Sequence, residues 1–258
     1  MIRLIIKIGN LGISLITAVL ALSFILYGTL SLWDMFRTEN GAFVSEDLLK
    51  YRPDVFEKEP PYLDDLIKIN EDTVGWITIY GTNIDYPIMQ GETDLEYLNK
   101  DVFGDYSMSG SIFLSVLNKR DFSEPYQLIY GHHMENGSMF GDIDKFVDKN
   151  FFDNNNGIRT KERSADGVLI TQGRAFALNV FALMKTNAYD KIIYRADKNE
   201  TETGELIEYV NENAVYIKDA GKIIHLLALS TCDSGSTDGR LVLLLKVSIR
   251  DQGADNNE

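Results

Sequence analysis

Cys232 is the only cysteine among 258 residues, and it closes the run Leu229-Ser230-Thr231-Cys232. A thiolate attacks carbonyl carbon readily, but the reaction also needs a proton for the leaving amine and a positive group for the oxyanion. Residues of both types stand at comparable positions. Arg240 opens the apolar run Leu241 to Val247, after the turn-rich loop Asp233-Ser234-Gly235-Ser236-Thr237-Asp238-Gly239. His132 and His133 follow Gly131 at the end of a third apolar run, Tyr126 to Tyr130. Each group taken singly has a structural explanation: Cys232 as a small buried hydrophobe, His132 as a surface residue, Arg240 as the ion-pair partner of Asp238 or Asp233. Together, at three strand ends, they point to acyl transfer through a Cys232 thioester. The third histidine, His225, sits inside an apolar run and reads as a satisfied core residue. Zinc is the weaker reading for the histidines, because no further Cys or His cluster supplies three or four ligands. No cofactor is expected.

The elements that must hold these groups are short. Lys222 to Leu229 and Leu241 to Val247 are nearly continuous apolar runs, the pattern of buried strands. Paired as a hairpin, they bring Cys232 at the end of one beside Arg240 at the start of the other. Gly75 to Gly81, Ile84 to Met89, Ser111 to Leu114, Gly167 to Thr171 and Ala175 to Met184 read as further strands, which predicts a mainly β barrel or sandwich with a few inserted helices. Helices are expected over Pro61 to Asn70, Asp142 to Phe152, and Glu200 to Asn213, the last capped by Thr201. Asn154 to Asp166 is polar and reads as a surface loop. There is no internal repeat and no low-complexity tract.

Ile8 to Trp33 is 26 residues without a charged side chain. At about 1.5 Å per helical residue this exceeds the roughly 30 Å hydrocarbon core, so it is expected to span a membrane. Arg3 and Lys7 precede it, which places the N-terminus in the cytoplasm and everything after Trp33 outside. A cleaved signal peptide would have a shorter apolar region, about 7 to 15 residues. The expected organisation is a tail at 1–7, an anchor at 8–33, a Pro-containing stalk at 34–60 with a short helix around Ser45 to Tyr51, a catalytic domain at 61–252 and a polar tail at 253–258. The formal net charge is −14. With Arg3 and Lys7 set aside, 23 basic and 39 acidic residues leave −16, which argues against nucleic acid as a partner.

The run ending in Thr231-Cys232, followed by Arg240, resembles the Leu-x-Thr-Cys and Arg signature of sortases, the membrane-anchored cysteine transpeptidases of Gram-positive bacteria. Tyr130-Gly131-His132 resembles their histidine strand. Val74-Gly75-Trp76-Ile77, Ile84 to Gly91, Tyr97-Leu98 and Ser109 to Phe113 extend the similarity, which is closest to class B and covers most of Val74 to Val247. The resemblance implies a closed β-barrel of about eight strands with N-terminal helices and an inserted helix, behind one transmembrane helix. It implies cleavage of a sorting motif near the C-terminus of secreted proteins, a thioester, and transfer to an amine of a peptidoglycan precursor or a pilin. Carried over by motif, Cys232 resembles the nucleophile, His132 the acid/base and Arg240 the oxyanion and orienting residue. Leu98, Tyr130 and Ser230 resemble groove positions, and Ile193 and Tyr194 fall where the specificity loop does.

Other readings are open to the residues alone. A papain-like protease carries its cysteine near the mature N-terminus, and an L,D-transpeptidase has a Ser-His-Gly-Cys run that is absent here. An anchored, non-enzymatic adhesion module would simply bury Cys232, and the thiol's reactivity toward alkylation separates that reading from the enzymes.

Overall fold

The computed structural model describes residues 2–41, 46–53, 63–154, 165–232 and 238–249. In chain order the elements are α1 (Ile2–Gly41), α2 (Glu46–Leu49), α3 (Asp64–Ile69), β1 (Thr73–Ile79), β2 (Asp85–Met89), a 3-10 turn (Glu96–Leu98), β3 (Ile112–Leu114), β4 (Tyr126–Tyr130), a 3-10 stretch (Gly141–Val147), α4 (Lys149–Asn154), β5 (Gly167–Thr171), β6 (Arg174–Asn187), α5 (Lys191–Tyr194), α6 (Glu200–Asn213), β7 (Tyr216–Ile217), β8 (His225–Cys232) and β9 (Gly239–Ile249). The chain divides into two units, residues 1–40 and 41–258.

In the first unit, α1 contains the only helix segment among the described residues that is long and apolar enough to cross a membrane, Ile6–Trp33. Three of its hydroxyl side chains bond back to the helix itself. The hydroxyls of Thr17, Ser23 and Thr29 donate to the carbonyls of Ile13, Val19 and Ile25 at 2.9, 2.9 and 3.0 Å. Such back-bonding gives each of these three hydroxyls a partner within the helix.

In the second unit, the strands follow the order β5-β1-β2-β3-β4-β8-β9-β6, and β5 pairs with β6 to close an eight-stranded barrel. β7 adds to β6 outside that circuit, opposite Ala182 and Leu183. Two joints are parallel, β2 to β3 and β4 to β8; the others are antiparallel. Alternate residues of β8 face opposite ways. Leu227 and Leu229 join Leu241, Leu243 and Leu245 of β9 in the main core, while Leu226 and Ala228 join Val242, Leu244 and the α6 residues Leu206 and Val210 in a second cluster. Burial on both faces is why these strands read as unbroken apolar runs. Each leucine so buried contributes roughly 1.5–3 kcal/mol. A third cluster unites Leu63 and Leu66 at α3 with Trp76, Met89, Phe113, Val168 and Ile170.

Several boundaries differ from the sequence reading for local reasons. The helix expected over Asp142 to Phe152 breaks at Asp148, whose Oδ1 accepts from the backbone N–H of Asn150 at 2.7 Å and of Phe151 at 3.0 Å and so starts a new helix. Helix α6 is capped by Asn199 and not by Thr201: Asn199 and Glu202 form a reciprocal capping box. β8 begins at His225, which is half-buried with Nδ1 3.1 Å from the Glu124 carbonyl oxygen, at the strand's first position. Part of the segment read as a stalk is packed on the barrel: Leu48 and Tyr51 lie against the third cluster, and Arg52 Nε meets Asp85 Oδ2 at 2.9 Å. Residues 155–164 of the expected loop lie outside the described residues, but its last residue, Asp166, is fully buried.

Asp166 ties β5 to β6. Its Oδ2 accepts from Val180 N–H at 2.8 Å, and its carbonyl accepts from Tyr80 N–H at 2.9 Å. Asp166→Ala leaves the buried Val180 donor without its side-chain acceptor, which costs about 1–3 kcal/mol. Urea unfolding followed through the fluorescence of Trp76 is expected to give an unfolding free energy lower by that amount, seen as a lower midpoint at unchanged slope; an unchanged midpoint would show that the bond contributes nothing.

Candidate active site

The strand register gathers the chemistry-bearing residues. β8 and β9 pair antiparallel with Cys232 directly opposite Arg240, so their Cα atoms are about 4.5–5.5 Å apart. β4 and β8 pair in parallel with Tyr130 opposite Ser230, and the Gly131 N–H continues the ladder by donating to the Ser230 carbonyl at 3.2 Å. Both strands therefore leave the barrel at the same rim. Positions 132 and 232, one hundred residues apart in sequence, emerge side by side.

His132 is fixed by backbone. Its Nε2 lies 2.9 Å from the Leu98 carbonyl oxygen, and its own carbonyl accepts from Phe140 N–H at 3.0 Å. A carbonyl can only accept, so Nε2 carries the hydrogen of this bond and Nδ1 is the nitrogen left for proton exchange. Leu98 is itself anchored. Its neighbour Tyr97 is buried, donates to Asp72 Oδ2 at 2.8 Å, and accepts from Asn70 Nδ2 at 3.0 Å and, at its carbonyl, from Ser111 N–H at 2.9 Å. Gly110, at φ +58°, passes so close beneath that a Cβ there would collide with the carbonyl oxygens of Leu98 and Tyr97. Gly131 has a similar constraint, since a Cβ would stand 2.7 Å from the Phe140 ring.

His133 is engaged elsewhere. Its side chain is 11% exposed, and Nε2 is 2.8 Å from Asp144 Oδ2. The loop it belongs to is also pinned by Tyr86, whose hydroxyl oxygen accepts from Met139 N–H at 2.9 Å; burial pushes the Tyr86 phenol up to about 12.

A cleft of about 310 Å³ opens at this rim, lined by Asp94, Leu98, Phe113, Tyr130, Gly131, His132, Ala188, Tyr194, Ser230, Thr231 and Arg240. The Arg240 Nη1 donates to the Gly239 carbonyl at 2.8 Å, and no carboxylate among the described residues pairs with it. Asp238 is therefore not its partner; Asp233 lies outside the described residues. Tyr130 and Tyr194 stack with centroids 6.3 Å apart, and the Tyr194 hydroxyl meets Ser230 Oγ at 3.0 Å. Burial, together with the nearby Asp94 charge, holds the Tyr130 phenol well above the ordinary tyrosine value, so it stays a neutral donor. Thr231 is 2% exposed, and its Oγ1 has no hydrogen-bond partner among the described residues.

Of the residues expected in the cleft, Leu98, Tyr130, Ser230, Tyr194, His132 and Arg240 line it, and the backbone of Cys232 is at its rim. Ile193 does not line it. It is a residue of the short helix α5, whose N-cap is Asp190, and is fully buried in the second cluster, with its carbonyl accepting from Tyr126 Oη at 2.9 Å. Sequence reasoning missed Asp94, Phe113, Ala188 and Thr231. Thr231 had a signal, its place beside the lone cysteine; Asp94 and Ala188 sit in loops that carry none. Among the described residues, no three His, Cys, Asp or Glu side chains come together as metal ligands.

No protein-family model matches the chain. Sortase B of Listeria monocytogenes serovar 1/2a is 33% identical over 186 residues, 70% of this chain and 72% of that protein. Among solved structures, a class B sortase of Streptococcus pyogenes involved in pilus biogenesis is 36% identical with a TM-score of 0.62, over 72% of this chain and 97% of its own. A Staphylococcus aureus sortase B–substrate complex is 28% identical with a TM-score of 0.62, over 72% and 84%.

The contact between Gly110 and the Leu98 carbonyl gives a test of how His132 is held. Gly110→Ala displaces the backbone of Leu98 and Tyr97 at that carbonyl. Turnover is expected to fall about 10²-fold, the scale of a misplacement near 1 Å, with KM little changed. Wild-type turnover by a folded Gly110→Ala protein would mean that the Leu98 carbonyl does not orient the imidazole.

Proposed function

Because the chain belongs to the class B sortases and is thus a cysteine transpeptidase, we propose that it cleaves a sorting motif near the C-terminus of secreted proteins and transfers the acyl group from Cys232 to an amine of the cell wall or of a pilin. The observation that carries this reading is the cleft at which the ends of β4, β8 and β9 converge, with His132 and Arg240 among its walls. The S. aureus relative was solved as a complex with substrate, and the S. pyogenes relative is involved in pilus biogenesis; both favour a protein substrate for this chain.

The Cys232 thiolate forms a C–S bond to the scissile carbonyl carbon, moving an electron pair onto the carbonyl oxygen. The Arg240 guanidinium, planar and charged at any working pH, donates to that oxyanion. Collapse breaks the C–N bond, and the leaving amine takes the proton from His132 Nδ1, because Nε2–H is committed to the Leu98 carbonyl. The acceptor amine then attacks the thioester, gives a proton to Nδ1, and the C–S bond breaks to return the thiolate. Water in place of the amine gives hydrolysis, the peptidase outcome. Leu98, Tyr130, Tyr194 and Ser230 bind the acyl-side peptide. In this reading α1 anchors the enzyme, Arg3 and Lys7 stay in the cytoplasm, and the catalytic domain, 61–252, works outside. No cofactor enters any step.

Incubation with sorting-motif peptides, read by mass spectrometry for an adduct on Cys232, tests the nucleophile and the acid together. Cys232→Ala is expected to fold and to lose both adduct and cleavage; cleavage by this variant would remove the cysteine mechanism. His132→Ala is expected to lose about 10²- to 10⁴-fold in turnover, and His133→Ala much less, since its imidazole is paired with Asp144. The reverse order would reassign the acid.

Arg240→Lys keeps the charge and removes the fork. A folded variant with a modifiable thiol is expected to lose about 10²- to 10³-fold in turnover, the scale of one oxyanion donor. Near-normal turnover would leave Arg240 as a surface charge, and joint loss of activity and melting temperature would make it structural.

A further inference from the structure

A second concavity lies at the end of the barrel opposite Cys232. β2 is antiparallel to β1 and parallel to β3, and β3 is antiparallel to β4, so β1 and β4 run the same way. β4 ends at the catalytic rim; β1 therefore starts, at Thr73, at the far end. β6 is antiparallel to β9, which begins at the rim, and this puts Arg174, the first residue of β6, at the far end too. The cleft there holds about 440 Å³, more than the one beside Cys232 and within the roughly 300–1,000 Å³ of small-ligand sites. Its walls carry charges of both signs, Arg120 and Arg174 against Glu71 and Asp121, over the buried side chains of Thr73, Val74 and Thr171.

Two of the four charged groups are already engaged. Arg120 Nη1 donates to the Gln90 carbonyl at 3.1 Å and Nη2 to the Glu71 carbonyl, with Asp72 Oδ1 at 3.9 Å, so the guanidinium plane is fixed while other N–H groups remain to be used. Asp121 Oδ1 accepts from Ser123 N–H at 3.0 Å. Its carboxyl is held below the usual carboxylate range by Ser123 and, more weakly, by the charges of Arg174 and Lys119. The other two are not engaged. Among the described residues, neither the Arg174 guanidinium nor the Glu71 carboxylate has a hydrogen-bond or ion-pair partner. On a convex surface such charges would simply be solvated; here they share a concavity whose buried hydroxyls are also poorly satisfied. Among the described residues, Thr73 Oγ1 has the Met89 sulfur at 3.8 Å, and Thr171 Oγ1 reaches the Arg174 carbonyl at 3.5 Å, the outer limit of a hydrogen bond. Buried hydroxyls normally have better partners, and a polar ligand supplies them.

The charge pattern selects among ligands. A purely anionic molecule would meet Glu71 and Asp121, and a purely cationic one would meet Arg120 and Arg174. The net charge of −16 on the residues beyond Trp33 also opposes the accumulation of anions, whereas a zwitterion is indifferent to it. We infer that this cleft is a binding site for a zwitterion, an amino acid or short peptide with free termini, whose carboxylate is taken by Arg174 and Arg120 and whose ammonium is taken by Glu71. Planar guanidinium suits a carboxylate in particular, and Ile67 and Val74 offer apolar contact to the ligand's side chains. The site is separate from the catalytic cleft and does not depend on the transpeptidase reading.

The test is calorimetric titration of the full chain in detergent micelles with the dipeptide Ala-Ala, its N-acetyl derivative and its C-terminal amide. No acyl donor is present, so the reading is independent of turnover at Cys232. Wild type is expected to bind Ala-Ala saturably with a sub-millimolar Kd, and each blocked form about tenfold more weakly, the scale of one charge-assisted contact. High salt is expected to shrink both differences. Arg174→Ala is expected to weaken Ala-Ala about tenfold and to erase its advantage over the amide. Glu71→Gln is expected to erase its advantage over the N-acetyl form. Both side chains are exposed, so both variants are expected to keep the wild-type melting temperature. Equal binding of the three peptides, or no saturable binding at millimolar peptide, overturns the inference. Binding that Arg174→Ala and Glu71→Gln leave unchanged places the peptide elsewhere on the protein and overturns it as well.

Discussion

One strand constrains everything else in the barrel. β8 is paired on both edges, in parallel with β4 and antiparallel with β9, and is covered on both faces, by the main core and by the cluster under α6. It has no freedom to slip, because moving the register by one residue would exchange Leu227 and Leu229 with Leu226 and Ala228 and mismatch both clusters at once. The positions of Ser230, Thr231 and Cys232 at its end follow from apolar packing several residues earlier. Fixing β8 also fixes where β4 and β9 terminate, and with them Gly131, His132 and Arg240.

The second level of control is backbone and not side chain. The Leu98 carbonyl that holds His132 is set by a 3-10 turn anchored through Tyr97, and Gly110 leaves room for it. Such an anchor has a chemical advantage over a carboxylate. A carbonyl fixes the tautomer of the imidazole without adding a negative charge beside it, and leaves Nδ1 as the ring nitrogen without a backbone partner. His133, paired with Asp144 one residue along, shows the contrasting arrangement.

The sequence carried the fold where periodicity and burial agree and lost it where tertiary contacts decide. Tyr126 to Tyr130 and Gly167 to Thr171 are legible to the residue, since each is an apolar run bounded by turn residues. The hairpin that opposes Cys232 and Arg240 was legible for the same reason. Asp148 was not, because Asp142 to Phe152 has helical spacing throughout and only the side-chain bonds of Asp148 break it. Asn199 and Glu202 did spell a capping box, and Thr201 obscured it. In the cleft, Tyr194 and Ile193 are neighbours in sequence, and a single helical turn points one at Ser230 and buries the other. Asp94 could not have been found, since it reaches the cleft through Ser115 and Val116 on a strand end that only the three-dimensional pairing identifies.

The parallel joint between β4 and β8 has a bearing on timing. Bridging it requires contacts across one hundred residues of chain, and contacts of such high sequence separation form late, after the local hairpins and helices. β8 and β9 can pair early, since a short loop connects them, but the histidine arrives only when β4 docks and the barrel closes. Until the barrel closes, position 232 therefore has Arg240 opposite it and no imidazole beside it, and the rim of the cleft is complete only as a property of the finished tertiary structure.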